Sequence, residues 1–388
     1  MDCHISAKDG VTITCNGESN EADGVFIGTT SSGCAGIYTK NLTIDPNVTF
    51  IISSSSYATG VYFNSTTANS IQTINGTFTI SAENYAYGVY FGSTASGNLT
   101  INGTFTIEST NANAYGVCFN STDANSTQTI NGTFTIRANN SGLSYGVYFN
   151  TAVSGTTIIN GTFAVSSPNV AYGVRFNSTT LGSTQTINGT FTISSSASSA
   201  YGVYFAATTA NSTQTIDSTF TISSTSSDAF AFFFYGLASG TATIKGAITI
   251  VSTSSDTYGV YFNSTASGNL TMDGTQFFSN KVPSTSDSNW PTTNNPRYPS
   301  WNGAYFINNF AKVGGGDLSG DNLTLTSISN KNPSPDFTIL VIGNADIDGS
   351  KKTFNGKYRS KLLIYVTSND CPITAKIWLL AILNNTNW

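Results

Sequence analysis

A unit of 27–30 residues recurs through the middle of this chain, and it constrains the fold more than any other feature. The glycine of Tyr-Gly-Val-Tyr-Phe returns at Gly60, Gly88, Gly116, Gly146, Gly173, Gly202 and Gly259, with Ala231 in its place once. Between these lies a second signature, Thr-Ile-Asn-Gly-Thr-Phe-Thr-Ile. Its Asn falls at Asn75, Asn102, Asn131, Asn160 and Asn188, and the position then becomes Asp217, Lys245 and Asp273. Repeats of this length mark architectures in which each unit packs mainly on its neighbours.

Period-2 alternation divides each repeat into three short strands. In the first strand, the columns headed by Val89 and Phe91 point inward. The column between them reads Tyr62, Tyr90, Cys118, Tyr148, Arg175, Tyr204, Phe233 and Tyr261, and its acceptance of Arg175 makes it the solvent side. In the third strand, Phe78, Phe105, Phe134, Phe163, Phe191 and Phe220 point inward with a following Ile or Val. The outward residues there are almost all Thr. Burying about five apolar side chains per coil cannot offset the ordering of ~28 residues, so one coil cannot fold alone. Stacked coils can.

The fold expected is therefore all-β: a parallel β-solenoid of about eight three-strand coils, a rod about 40 Å long at ~4.8 Å per coil. A propeller is the competing architecture, because Asn-Gly also suits hairpin turns. Its blades carry four strands in ~40 residues or more, so the solenoid is preferred. Gly76, Gly103, Gly132, Gly161, Gly189, Gly246 and Gly274 are read as left-handed corner residues. The Asn column beside them is expected to stack as an amide ladder. Four segments follow: an N-terminal cap with a degenerate first coil (1–52), the repeat solenoid (53–282), a Pro- and Trp-rich loop (283–303) and a β-rich capping region (304–388).

Composition narrows the function. Charged residues are 9% of the 388, the net charge is −5, and there is one histidine. No basic footprint for nucleic acid exists, and a single histidine argues against His-based catalysis and His metal sites. Nine Lys or Arg face six Asp between 297 and 376, so only the C-terminal segment is basic. The five cysteines lack Cys-x-x-Cys spacing, which argues against zinc. Cys3, Cys15 and Cys34 offer one disulfide in the cap, with free thiols as the alternative. No cofactor is expected. The final apolar run, Ile377–Leu383, is too short to span a bilayer. Met1 opens without an apolar leader, so a fragment or another export route is expected. About eighteen Asn-x-Ser/Thr sequons occur, as an Asn- and Thr-rich repeat generates by chance.

Over residues 53–280 the Tyr-Gly-Val-Tyr-Phe and Ile-Asn-Gly-Thr-Phe-Thr-Ile units resemble the parallel β-helix passengers of bacterial autotransporters and related repeat-rich surface adhesins. The resemblance is architectural. It implies a non-enzymatic, extracellular or cell-surface rod, whose partner is a surface protein or glycan of a host or neighbouring cell. It also implies that the segment after Phe306 is a folding unit, with Phe337–Gly349 as its strand and turn. The candidate contact stripe is Tyr62, Tyr90, Tyr148, Tyr204 and Tyr261, against the alternative that these rings only pack on each other. The candidate contact loop carries Trp290, Tyr298 and Trp301. A second reading is ice binding, because the outward pairs Thr77/Thr79, Thr104/Thr106, Thr133/Thr135, Thr190/Thr192 and Thr219/Thr221 resemble the Thr-x-Thr faces of β-solenoid antifreeze proteins. Ala164 and Ala247 interrupt those columns, and Thr suits any exposed strand. A polysaccharide lyase or glycosidase is the third reading, and it lacks a visible carboxylate cluster.

Overall fold

The structure, a computed structural model, describes residues 2–6, 10–17, 22–27, 36–37, 41–255, 257–262, 269–273, 276–279, 303–308, 323–326, 329–330, 336–343, 354–355 and 359–366. Among these residues there are strands and turns and no helix. Seven consecutive coils lie wholly within them. They start at the first strands Ala58–Phe63, Ala86–Ala95, Ala114–Thr122, Ser144–Val153, Ala171–Thr179, Ala200–Phe205 and Ala229–Phe234. A typical coil runs Ala114–Thr122, Thr127–Ile130 and Thr133–Ala138. The strands of the eighth repeat, Thr257–Phe262, Asn269–Asp273 and Gln276–Ser279, stack on the seventh coil.

Successive coils pair in parallel, equivalent residue on equivalent residue: Phe91 beside Phe119, Phe105 beside Phe134, Ile101 beside Ile130. This is the expected β-solenoid, and parallel pairing between repeats rules out propeller blades. The first strands build a 13-stranded sheet, and the second and third strands build a 21-stranded one. Within the larger sheet, the two strands of a coil become continuous where the Asn-Gly corner is lost. With Asp217-Ser218 or Lys245-Gly246 in its place, they merge into Thr213–Ser224 and Thr241–Ser252.

The parallel ladder continues past the end of the sequence repeat. Gly303–Asn308 pairs with Thr257–Phe262, Asp336–Gly343 with Gly303–Asn308, and Arg359–Val366 with Asp336–Gly343. At the other end, Ala22–Ile27 pairs with Ala58–Phe63, and Val11–Gly17 with Val48–Ser54. Backbone pairing does not require the full signature. Cys15 is buried and disulfide-bonded, while Cys3 is a free thiol. The run Ile377–Leu383 lies outside the described residues.

Two phenylalanine stacks form the core. Phe50, Phe78, Phe105, Phe134, Phe163, Phe191 and Phe220 stack with centroids 4.7–4.9 Å apart. Phe63, Phe91, Phe119, Phe149, Phe176, Phe205 and Phe234 stack at 4.5–5.1 Å. Each ring pair contributes ~1 kcal/mol beyond the area it buries. The strand spacing is close to the ring spacing, so one residue type satisfies every coil.

Of the corner glycines, only Gly246 among the described residues takes the left-handed conformation expected, and Gly274 lies outside them. Gly103, Gly132, Gly161 and Gly189 are not among the residues with positive φ, whereas Gly246 is, at 95°. They are glycine because the coils approach closely. A Cβ on Gly132 would stand 2.4 Å from the carbonyl oxygen of Gly103 and 3.1 Å from the Phe134 ring. The Asn ladder beside them forms as expected. The Nδ2 of Asn102, Asn131, Asn160 and Asn188 each donates to the Oδ1 of the preceding Asn, at 2.8, 2.9, 3.0 and 3.2 Å.

Removing one ring from the middle of a stack tests this arrangement. Phe119→Ala should destabilise the chain by about 3–5 kcal/mol, as for buried aromatics generally. Thr106→Ala, on an exposed column, should stay within ~0.5 kcal/mol. Denaturant midpoints of the two variants give the comparison, and equal losses would overturn the assignment of faces.

Candidate functional site

The outer side of the first-strand sheet carries the Tyr stripe. Its geometry turns on the glycine of Tyr-Gly-Val-Tyr. Gly88 and Val89 are both buried, so the alternation slips by one residue and Tyr87 joins Tyr90 on the outside, 4.7 Å away. A Cβ on Gly88 would lie 2.4 Å from the Gly116 carbonyl oxygen, so glycine eases this slip, which the seventh coil makes with a buried Ala231. A second aromatic column follows: Tyr87, Tyr115, Tyr145, Tyr172, Tyr201 and Phe230, with centroids 4.7–5.0 Å apart. Strict alternation misses this column. Its signal in the sequence is the aromatic residue that precedes the repeat glycine, or Ala231 in the seventh coil.

The two columns pack into a second core outside the solenoid. Tyr115, Cys118, Tyr145, Tyr172, Tyr204, Phe230 and Phe233 are buried there, with Tyr90, Tyr148 and Tyr261 partly buried against them. The stripe is therefore not water-facing, contrary to the expectation from alternation. Tyr204 is 9% exposed and Cys118 5%. Arg175 fits because its guanidinium lies over the rings of Tyr145, Tyr148, Tyr172 and Tyr204 at 5.1–6.0 Å, not because the site is open. Its Nε donates to Asn177 Oδ1 at 3.1 Å. Tyr62 stacks on Tyr90 at 5.2 Å, and Tyr261 on Phe233 at 4.9 Å. Ring faces are turned largely to other rings. The Tyr148 hydroxyl donates to Asn150 Oδ1 at 2.8 Å and accepts from Asn177 Nδ2 at 3.1 Å.

Burial governs titration in this stripe. Desolvation raises the phenols of Tyr87, Tyr115, Tyr145 and Tyr201 well above their ordinary value, and that of Tyr204 up to about 12. Desolvation also pushes the Cys118 thiol up, which disfavours its thiolate.

The third strands present the Thr face. Thr79, Thr104, Thr106, Thr133, Thr135, Thr190, Thr192, Thr219 and Thr221 are exposed, and Thr77 is half-exposed. They align coil on coil, Thr104 beside Thr133 and Thr106 beside Thr135, with Ala164 and Ala247 in the columns. Charge enters at one edge, where Glu108 neighbours Arg137 and Asn139 bonds to both. Beyond that edge runs a shallow groove of about 530 Å³, lined by Arg137, Asn139, Ser166, Ser194 and Ser223. Trp290, Tyr298 and Trp301 lie outside the described residues. Among the described residues, no group of three or more His, Cys, Asp or Glu converges, and no helix is long and apolar enough to cross a membrane.

Two measurements follow from the stripe. Arg175→Ala should cost about 1–2 kcal/mol through its lost ring contacts, and Arg175→Tyr, which restores the residue usual in the column, should recover most of it. The buried phenols are neutral in the folded chain, and an unfolded Tyr ionises near pH 10. Their stabilisation is complete below that pH and is lost as pH rises towards the folded value of about 12 for Tyr204. Tyrosinate absorbance followed with alkaline unfolding should show these phenols ionising late, together with loss of β-sheet signal.

No protein-family model, curated protein or solved structure matches this chain.

Proposed function

We infer that this chain is a non-enzymatic, extracellular or surface-exposed rod with a structural and adhesive role. The observation that supports this reading is the unbroken seven-coil stack with a second core along its outer side. A rod held by two parallel files of stacked rings resists bending, and it sets whatever it carries at a fixed distance. The contacts to a surface protein or glycan of another cell are assigned to the faces left open: the Thr columns, the adjoining Ser-lined groove and the loops. The Tyr stripe serves as a stiffener in this reading, because its rings are already engaged with each other.

Ice binding is the second reading, favoured by one observation. The Thr-x-Thr pairs are exposed, uncharged and in register across consecutive coils. Such an array repeats in two dimensions, as a crystal surface does.

The adhesive reading is tested on beads coated with the full chain. Coated beads should bind cells or a glycan array, and heat-unfolded coating should not. A variant with Tyr90, Tyr148 and Tyr204 all changed to Ser should melt several degrees earlier and still adhere. Coated beads that bind no better than bare ones would refute adhesion, and a folded triple variant without adhesion would return the contact to the stripe.

The ice reading has its own measurement. Thermal hysteresis in a solution of the folded chain, abolished by Thr106→Lys with Thr135→Lys, would replace the adhesive role. Its absence removes that reading.

A further inference from the structure

Inside the solenoid, near the corner between first and second strands, one inward column is polar. It reads Gln128, Thr157, Gln185 and Gln214 in successive coils, aligned Cα to Cα. Leu99 precedes it and Ala242 follows it. All four polar residues are at most 1% exposed. Three hydrogen bonds orient the amides, one of them from Gln214 Nε2 to Ser212 Oγ at 3.1 Å. Gln128 Nε2 donates to the Gly97 carbonyl at 2.9 Å, and Gln214 Nε2 donates to Gln185 Oε1 at 2.9 Å. Four buried atoms of the column have no protein partner; beside Gln214 Oε1, three lie in the consecutive coils before it: Gln128 Oε1, Thr157 Oγ1 and Gln185 Nε2.

These atoms are an acceptor, a hydroxyl and a donor, and their residues neighbour one another at a strand spacing of ~4.8 Å. Gln185 reaches Gln214 directly, amide to amide. Across Thr157 the same relay fails, because the Thr side chain is shorter than that of Gln and carries no amide. Buried polar groups left this way are satisfied by internal water where the site is polar.

We propose that Gln128, Thr157 and Gln185 bind one water molecule as a resident ligand. Gln185 Nε2 donates to it, it donates to Gln128 Oε1, and it exchanges a third hydrogen bond with the Thr157 hydroxyl. Three bonds are what an interior water ordinarily makes. The site selects water over an ion because it offers both donor and acceptor and no charge in the column. The water takes the part of the amide that Thr157 lacks, and the polar column becomes one hydrogen-bonded file through four coils. The inference is independent of the adhesive reading.

The test uses the full chain. A high-resolution crystal structure should show a solvent peak within hydrogen-bond distance of Gln128 Oε1, Thr157 Oγ1 and Gln185 Nε2. Magnetic relaxation dispersion should count one long-lived water fewer in Thr157→Gln, which supplies the missing amide, and its melting temperature should equal or exceed that of the unaltered chain. The proposal is overturned if the unaltered chain has no such peak, or if the peak and the long-lived water persist in Thr157→Gln. Should that variant fail to fold, the peak in the unaltered chain decides alone.

Discussion

Everything in this rod depends on one geometric constraint: parallel, in-register pairing sets each side chain about 4.8 Å from its own equivalent in the next coil. A residue type survives in a column only if it tolerates a copy of itself above and below. Phenylalanine does, by stacking. Asparagine does, by passing a hydrogen bond from amide to amide. Threonine does on the outside, and glycine does where backbones nearly touch. A charged side chain does not, because like charges would stand in file. The 9% content of charged residues is a consequence of this rule. Glu108 beside Arg137 and Asp217 beside Lys245 show how charges enter the coils, each next to an opposite.

The same rule separates the two outer faces. On the first-strand side the glycine slip crowds two aromatic columns together, and they exclude water by packing on one another. On the third-strand side, strict alternation leaves single Thr columns that are too short to cover each other. One face is thereby consumed in holding the rod, and the other remains free for contacts. The distinction follows from one residue in the repeat, the glycine between Tyr87 and Val89.

Much of this is legible in the amino-acid sequence. The inward Phe columns, the exposed Thr pairs and the Asn ladder all follow from alternation combined with a fixed repeat. Two features defeat such reasoning for physical reasons. Local backbone preference does not account for the corner glycines, because Gly132 answers to the carbonyl of Gly103 one coil away. A charged residue does not mark open solvent at Arg175, because four ring faces accommodate it. Both depend on interactions between coils, which a single repeat does not display. The buried glutamine column is equally hidden, since Leu99, Thr157 and Ala242 break its pattern in sequence while continuing it in space.

The Asn ladder bears on how such a chain can be made. Asn102, Asn131, Asn160 and Asn188 each precede Gly-Thr, so each meets the sequence rule for an N-linked sugar. Each Nδ2 that would receive the sugar already bonds the neighbouring amide. Successive amides stand closer together than the width of a hexose. A secretory pathway that modifies these sites before the coils stack would place bulk where the ladder must close. A glycosylated Nδ2 keeps one N–H for the ladder bond, so the conflict is one of bulk: sugars on adjacent coils would crowd one another along the ladder edge.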